Sequence, residues 1–298
     1  MAEDLKSKII KLALEGDLEQ SVKLAGDDVT LLYDVGTYFY KLKKLEIALI
    51  FIRKILEIDS KNTSAHNYLG ILLSELKRYE EAEREYREAI RLQPELAGYH
   101  NNLGVVLKEL KRYEEAEREH REAVRLKPGL AGFHNNLGTL LSEMRRYEEA
   151  EKEFREAIRL EPEYAIAHHS LGNLLSELEC YEEAEEELRK AIRLRPDNAR
   201  AHNNLGNLLS ELECYEEAEE EYREAIKLKP DFVEAYDNLG ILLIDRGDIT
   251  SDEVFYEEAI DEFKKALNLG LNDAEVHNSI GYAYGKLGNL NKARKEFT

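Results

Sequence analysis

The sequence repeats itself every 34 residues between Thr63 and Asp231, and this period restricts the chain to a few kinds of fold. Five glycines and all five prolines of the chain mark the repeat, at Gly70, Gly104, Gly138, Gly172, Gly206, Pro94, Pro128, Pro162, Pro196 and Pro230. A fixed period of this length indicates stacked supersecondary units that bury their apolar faces on one another. The sequence therefore predicts one elongated solenoid and not two globular domains.

Each copy carries two helical patterns in succession. Residues 65–76 place apolar side chains on one face of a 3.6-residue period, and residues 79–92 repeat this pattern. Lys77 and Arg78 between them leave room only for a tight antiparallel turn. Pro94 ends the second helix, because its ring clashes with a continuing helical backbone and its nitrogen carries no hydrogen. The predicted unit is an antiparallel helix pair, and the fold class is all-α.

The recurring glycine lies inside the first helix of each copy and needs a packing reason. Gly70 lowers helix stability by roughly 1 kcal/mol relative to alanine. We expect Gly70 on the first helix and Ala82 on the second to let the two backbones cross closely.

One set of positions in each copy resembles the tetratricopeptide repeat. The pattern of that family consists of a large residue, Leu-Gly, an aromatic residue, Ala, a second aromatic residue and Pro. These positions are matched here by His66, Leu69, Gly70, Leu73, Ala82, Tyr86 and Pro94. His in place of Trp and Leu in place of the first aromatic are the departures. The resemblance covers residues 29–298. It implies a right-handed superhelical solenoid of antiparallel helix pairs, first helices that line a concave groove, and a non-enzymatic role as a protein–protein interaction scaffold.

The period also predicts how the chain is divided. Residues 1–28 are predicted to form N-terminal capping helices, and residues 274–298 a truncated C-terminal repeat. Seven repeats lie between them, at 29–62, 63–96, 97–130, 131–164, 165–198, 199–232 and 233–273. The last of these carries a seven-residue insertion near 245–254, because Ala259 appears seven residues late. Since insertions in solenoids usually enter turns, we expect this one to lengthen the link between two helices.

Charge and hydropathy narrow the classes of partner. The formal net charge of −20 argues against nucleic acid and anionic membranes, because their phosphates would be repelled, and it favours basic or neutral partners. The N-terminus lacks the apolar stretch of a signal peptide. The most apolar run, residues 47–52, is far shorter than the ~20 residues that span a bilayer. We therefore expect a cytoplasmic protein.

A helical wheel of the first helix predicts which residues line the groove. With Leu69 at the centre of the buried face, the position of Asn67 falls on the opposite face and that of Tyr68 at its edge. We call these the inner slot and the edge slot. Over the copies, the inner slot holds Asn67, Asn101, Asn135 and Asn203, and the edge slot holds Asn102, Asn136, Asn204 and Asn238. The slot of Ile71 adds Asn173 and Asn207, and a fourth slot forms an acidic stripe of Glu75, Glu109, Glu143, Glu177 and Glu211.

These side chains suggest that the groove binds an extended peptide. An asparagine amide offers a donor and an acceptor, which suit the N–H and C=O groups of a peptide backbone, while glutamates favour Lys or Arg side chains. The arrangement is similar to the asparagine-lined superhelix of O-linked N-acetylglucosamine transferases. The alternative is that these amides are only solvated polar residues. Replacing Asn136, Asn173 and Asn204 by Ala is expected to weaken binding without lowering thermal stability.

Other candidate sites in the sequence favour a structural explanation. Histidines recur in one slot, at His66, His100, His134, His168, His202 and His277, but helices 8–10 Å apart cannot readily share one zinc ion. We predict packed, half-buried histidines, no metal and no cofactor. Cys180 and Cys214 lie one repeat apart, so we predict two free thiols. No phosphate-binding loop or nucleophile motif occurs in the sequence. Two alternatives stay open: a self-assembling homo-oligomer, or a regulatory domain of a larger enzyme.

Overall fold

The computed structural model describes residues 2–271 and 274–296, and the repeat boundary predicted at residue 273 and the end of the chain at Thr298 lie outside these ranges. Within them the chain forms eighteen α-helices and no strand: α1 Ala2–Leu14, α2 Leu18–Ala25, α3 Val29–Lys41, α4 Leu45–Ile58, α5 Thr63–Glu75, α6 Tyr79–Leu92, α7 Ala97–Glu109, α8 Tyr113–Leu126, α9 Ala131–Glu143, α10 Tyr147–Leu160, α11 Ala165–Glu177, α12 Tyr181–Leu194, α13 Ala199–Glu211, α14 Tyr215–Leu228, α15 Val233–Thr250, α16 Glu253–Asn268, α17 Ala274–Lys286 and α18 Leu290–Glu296. The all-α class and the succession of helix pairs are confirmed.

The chain divides into two compact parts, Met1–Leu160 and Glu161–Thr298. The N-terminal part contains α1 to α10 and the C-terminal part α11 to α18. Within each part, the two helices of a pair make the closest contacts, and the first helices of successive pairs also touch. From α3 onward the odd-numbered helix of a pair is its first helix, and the even-numbered one is its second helix.

A three-residue turn joins the helices of each regular pair. After α5, the backbone N–H of Arg78 donates to the carbonyl of Leu73 at 2.8 Å, and Lys77 takes a left-handed conformation with φ of 58°. This is the hydrogen-bond pattern of a helix that ends on a left-handed residue. The same conformation recurs at Lys111, Arg145, Glu179 and Glu213, so the tight turn predicted from two residues is a repeated structural element.

The recurring glycine makes room for a side chain of the second helix. A Cβ atom built on Gly70 would lie 2.6 Å from the ring of Tyr86, and one on Gly138 would lie 2.8 Å from the ring of Phe154. The predicted close approach is present, but the main contact is with the large residue and not with Ala82. Ala82 is fully buried, and its small side chain adds to the close packing of the pair.

The insertion near 245–254 lengthens helices and not the link between them, contrary to the prediction. Helix α15 has 18 residues where regular first helices have 13, and α16 begins at Glu253. Helical continuation is favoured because Gly247 packs against the ring of Tyr256, and Arg246 donates to Glu219 and Glu216 on α14. Only Ser251 and Asp252 remain between the two helices.

Ion pairs connect neighbouring second helices on their outer faces. Arg112, in the turn before α8, donates to Glu115 on α8 and to Glu83 on α6, the preceding second helix, each at 2.7 Å. The equivalent positions in two later repeats hold Cys180 and Cys214, which are exposed. Neither forms a disulfide, as predicted. Exposed ion pairs of this kind contribute only about 0–1 kcal/mol each.

Candidate functional site

The inner-slot asparagines do not lie on an open groove wall. Only 9% of the surface of Asn101 and 5% of that of Asn135 and Asn203 is exposed. The helical wheel placed this slot opposite the buried face of an isolated helix, but the adjacent first helix covers it. Three of the four inner-slot residues are therefore buried between first helices, and Asn67 is half-buried.

The edge-slot asparagines donate hydrogen bonds to the inner slot of the preceding repeat. The Nδ2 of Asn102 lies 3.0 Å from the Oδ1 of Asn67, and that of Asn136 lies 2.9 Å from the Oδ1 of Asn101. In the C-terminal part Asn238 donates to Asn203 at 3.1 Å. These amides already bind one another across adjacent repeats. Their replacement should therefore lower stability, which corrects the expectation that only binding would suffer.

A denser amide network surrounds Asn204 and Asn207 in the C-terminal part. The Nδ2 of Asn204 lies 2.7 Å from the Oδ1 of Asn173 and 3.0 Å from the Nε2 of His169. Burial lowers the pKa of His169 to about 4, with a smaller effect of the positive charge of Arg200. The ring is therefore neutral near pH 7, and its unprotonated Nε2 accepts this hydrogen bond.

Asn207 is fixed through its oxygen. Its Oδ1 accepts from the hydroxyl of Tyr222 at 2.8 Å and from the Nδ2 of Asn238 at 2.9 Å. Its Nδ2 donates to none of the residues that the structure describes, and the side chain is exposed. Among the predicted asparagines, Asn207 thus combines a fixed orientation with a free donor.

Two pockets occur at equivalent places between first helices, one in each part. The valine pocket, in the N-terminal part, has a volume of about 430 Å³ and is lined by Ile71, Ser74, Glu75, Tyr79, Tyr86, Asn102, Val105, Val106 and Glu109. The asparagine pocket, in the C-terminal part, has a volume of about 540 Å³ and is lined by Asn173, Ser176, Glu177, Glu179, Tyr181, Asn204, Asn207, Leu208 and Glu211. Eight lining positions of the second lie three repeats after those of the first.

The two pockets differ in polarity because equivalent positions of their linings hold different residues. Ile71 and Val105 of the valine pocket are replaced by Asn173 and Asn207 in the asparagine pocket. The predicted acidic stripe contributes two glutamates to each. In the N-terminal part, lysines partly neutralise this stripe, with Lys43 bound to Glu75 at 3.3 Å and Lys108 to Glu143 at 2.8 Å.

The lining of the asparagine pocket contains three glutamates and neither lysine nor arginine. Glu211 forms no ion pair with any residue in the described ranges, and it adds to the effect of burial in raising the pKa of Tyr222. The charged groups of the lining are therefore all carboxylates. The helical wheel of the first helix did not include Glu179 and Tyr181. The tyrosine recurs at the 34-residue spacing and could have been found, whereas Glu179 lines the pocket because of its turn conformation.

Metal-binding clusters and membrane-spanning helices are both missing from the part of the chain that the structure describes. In the described ranges no group of three or more His, Cys, Asp or Glu side chains is arranged to hold a metal ion. The same ranges contain no helix with the length and apolar character needed to cross a membrane.

Comparisons with known proteins agree with the helix-pair architecture. One sequence family, described as TPR repeat, matches residues 72–111, 172–213 and 256–288, and four others, described as Tetratricopeptide repeat, match 51–84, 96–127, 131–164 and 199–232. Together they cover more than half of the chain. No curated protein matches it at a significant level.

Two solved structures are similar over most of the chain. A tetratricopeptide repeat protein from Parabacteroides merdae is 16% identical, with a TM-score of 0.66, covering 87% of this chain and 99% of its own. PilF from Pseudomonas aeruginosa is 26% identical, with a TM-score of 0.60, covering 70% of this chain and 94% of its own.

Proposed function

The chain belongs to the tetratricopeptide repeat family, and we propose that it is a non-enzymatic scaffold that binds an extended peptide segment of another protein. Membership of the family supports a role in protein interaction. The pockets between first helices are the proposed contact sites, and the partner segment is basic or neutral.

The observation that carries the proposal is the fixed amide of Asn207. Its oxygen is held by Tyr222 and Asn238, so its Nδ2 is oriented before any ligand arrives. A free N–H donor matches the C=O group of a peptide backbone. Such preorganisation favours binding, because little side-chain freedom is lost when the ligand docks.

The charge of the asparagine pocket gives the peptide its side-chain preference. Glu177, Glu179 and Glu211 line a pocket without a cation of its own. A Lys or Arg side chain beside the bound peptide group would complement these carboxylates, whereas an acidic side chain would be repelled. The valine pocket, with Ile71 and Val105, favours an apolar side chain instead.

The test uses the full chain and an array of extended peptides that vary only in charge. We expect binding to basic and uncharged peptides. The Kd of each bound peptide is then measured by fluorescence anisotropy. Asn207→Asp keeps an oxygen that accepts from Tyr222 and Asn238, but it replaces the N–H donor by a carboxylate oxygen and adds one negative charge, so its effect is read on uncharged peptides. Loss of one hydrogen bond of about 0.5–1.5 kcal/mol predicts roughly a 2- to 12-fold weaker Kd for uncharged peptides.

Thr139→Ala provides the matched control. Thr139 occupies the same slot as Asn207 in a repeat whose residues line neither pocket, so its loss should leave Kd unchanged. Glu211→Gln should weaken binding of lysine-containing peptides and spare uncharged ones. Unaltered affinity in Asn207→Asp, or preferential binding of acidic peptides, would show that this pocket does not bind the partner.

A further inference from the structure

Five histidines of successive repeats each place both ring nitrogens against an oxygen acceptor: the half-buried His66, which faces Glu85 and the carbonyl of Ser60, and four buried ones that follow it. The Nδ1 of His100 lies 2.6 Å from a carboxylate oxygen of Glu119, and its Nε2 lies 2.8 Å from the carbonyl of Pro94. His134 makes the same two contacts with Glu153 and Pro128, at 2.7 and 2.9 Å. His168 and His202 follow the pattern with Glu187, Glu221, Pro162 and Pro196. We call these four residues the histidine clamps.

With an ionised carboxylate, this geometry favours a proton on both ring nitrogens. A neutral imidazole carries one N–H donor and one lone pair, so one of its nitrogens would face an acceptor without a hydrogen between them. Only the imidazolium donates to the carboxylate and to the carbonyl at once. Each clamp then ties a first helix to the second helix of its pair and to the proline turn that precedes it.

We propose that the histidine clamps make the stability of repeats 97–232 depend on pH. They hold the helix pairs together when the rings are protonated, and this stabilisation weakens when the rings lose the proton. Stability in a repeat array is approximately a sum of terms from each unit and its neighbours. Small losses at four successive clamps therefore add up. Because all these contacts lie within the chain, the response does not depend on a bound peptide.

The charged groups that face the clamps support this behaviour. Hydrogen bonding to Glu119 raises the pKa of His100 against the opposing effect of burial, and Glu122 adds to the rise. Glu153 and Glu156 act in the same way on the pKa of His134. In the C-terminal part, Glu221 and Glu224 raise the pKa of His202. Glu187 raises the pKa of His168, and the positive charge of Lys190 opposes this rise.

The sign of the pH effect follows from these shifts. A histidine whose pKa is raised on folding stabilises the folded state fully below its unfolded pKa of about 6.5. That stability disappears as the pH rises through the higher, folded-state pKa. The repeats should accordingly become less stable on the alkaline side of neutrality.

The chain contains its own controls. Tyr236 takes the histidine position in the repeat 233–273, where its hydroxyl donates to the carbonyl of Pro230 at 3.3 Å. Glu262, at the position of Glu119, pairs with Lys265 instead. His120 is buried without a carboxylate partner, and burial lowers its pKa to about 4.

The decisive measurement is an NMR titration of the histidine ring protons in the full chain. The four clamps should titrate above about 6.5, while His120 and His169 stay neutral until far more acidic pH. Glu119→Gln should lower the pKa of His100 alone. Lys190→Glu should raise that of His168. Clamps that titrate at or below the ordinary histidine value would overturn the proposal.

Thermal unfolding across pH tests the consequence for stability. The wild-type Tm should fall between about pH 6 and pH 9. A variant with His100→Tyr and His134→Tyr, which copies the natural tyrosine at Tyr236, should show a smaller fall. The comparison is repeated at high salt, because the net charge also becomes more negative with pH. Equal slopes of Tm against pH in both proteins would contradict the proposed stabilisation by the clamps. If the variant does not fold, the titration of the histidine rings in the wild type decides.

Discussion

His120→Phe is expected to stabilise the chain, and increasingly so in acid. His120 occupies the position that holds Tyr86 and Phe154 in neighbouring repeats, and only 1% of its surface is exposed. Its Nδ1 has no hydrogen-bond partner among the described residues. A buried polar atom without a partner costs about 1–3 kcal/mol. Phenylalanine removes that atom, and Phe154 shows that the ring fits beside the recurring glycine.

The magnitude in acid comes from the shifted pKa. Burial lowers the pKa of His120 from 6.5 to about 4, so the unfolded chain binds a proton more tightly than the folded chain. Stability from this residue is complete above pH 6.5 and is lost as the pH falls towards 4. The full loss is ~3 kcal/mol, and about 2 kcal/mol of it is reached at pH 5.

The assay is urea unfolding of wild type and His120→Phe at about pH 7 and about pH 5. The variant should be more stable at pH 7, and the difference should widen by about 2 kcal/mol at pH 5. Phe154→His places the same group in the next repeat and should produce the opposite change. A difference that stays constant with pH would refute a buried, unpaired imidazole at this position.

Two further substitutions test the packing and the outer ion pairs. Gly138→Ala should destabilise the chain by about 1–3 kcal/mol in thermal unfolding, because the new Cβ would press on Phe154, whereas Gly98→Ala enters open space and should be tolerated. Cys214→Arg should restore the ion pairs that Arg112 forms, with a gain of about 0.3–1 kcal/mol that disappears at high salt; a gain that persists there would contradict an electrostatic origin.

The helices and their turns could be predicted from sequence because the responsible signals are local. Apolar period, proline and glycine each act within one repeat, and five copies of the pattern remove ambiguity. The prediction that the insertion lengthens the link between two helices is wrong because the deciding signals are not local. Whether residues 245–250 form a loop or extend α15 depends on Arg246 and Gly247 meeting α14 and α16, and these contacts are not visible in a local pattern.

The candidate site was only partly predictable because it forms between repeats. A helical wheel treats Asn101 as a residue of one isolated helix, and it cannot show that the next first helix covers it. The same calculation correctly placed Asn207 and Glu211 on an accessible surface. Which amides are free and which bind one another depends on contacts over 35 residues, such as that from Asn136 to Asn101.

That offset of 35 residues has an evolutionary consequence. In the three asparagine contacts with this offset, the donor lies in the edge slot and the acceptor in the inner slot of the repeat before it, as with Asn102 and Asn67. A tandem copy of one 34-residue segment therefore carries a donor for its predecessor and an acceptor for its successor. Such an array can grow by gene duplication without inventing a new interface. Divergence of single slots, as between Val105 and Asn207, can then give each added copy its own selectivity.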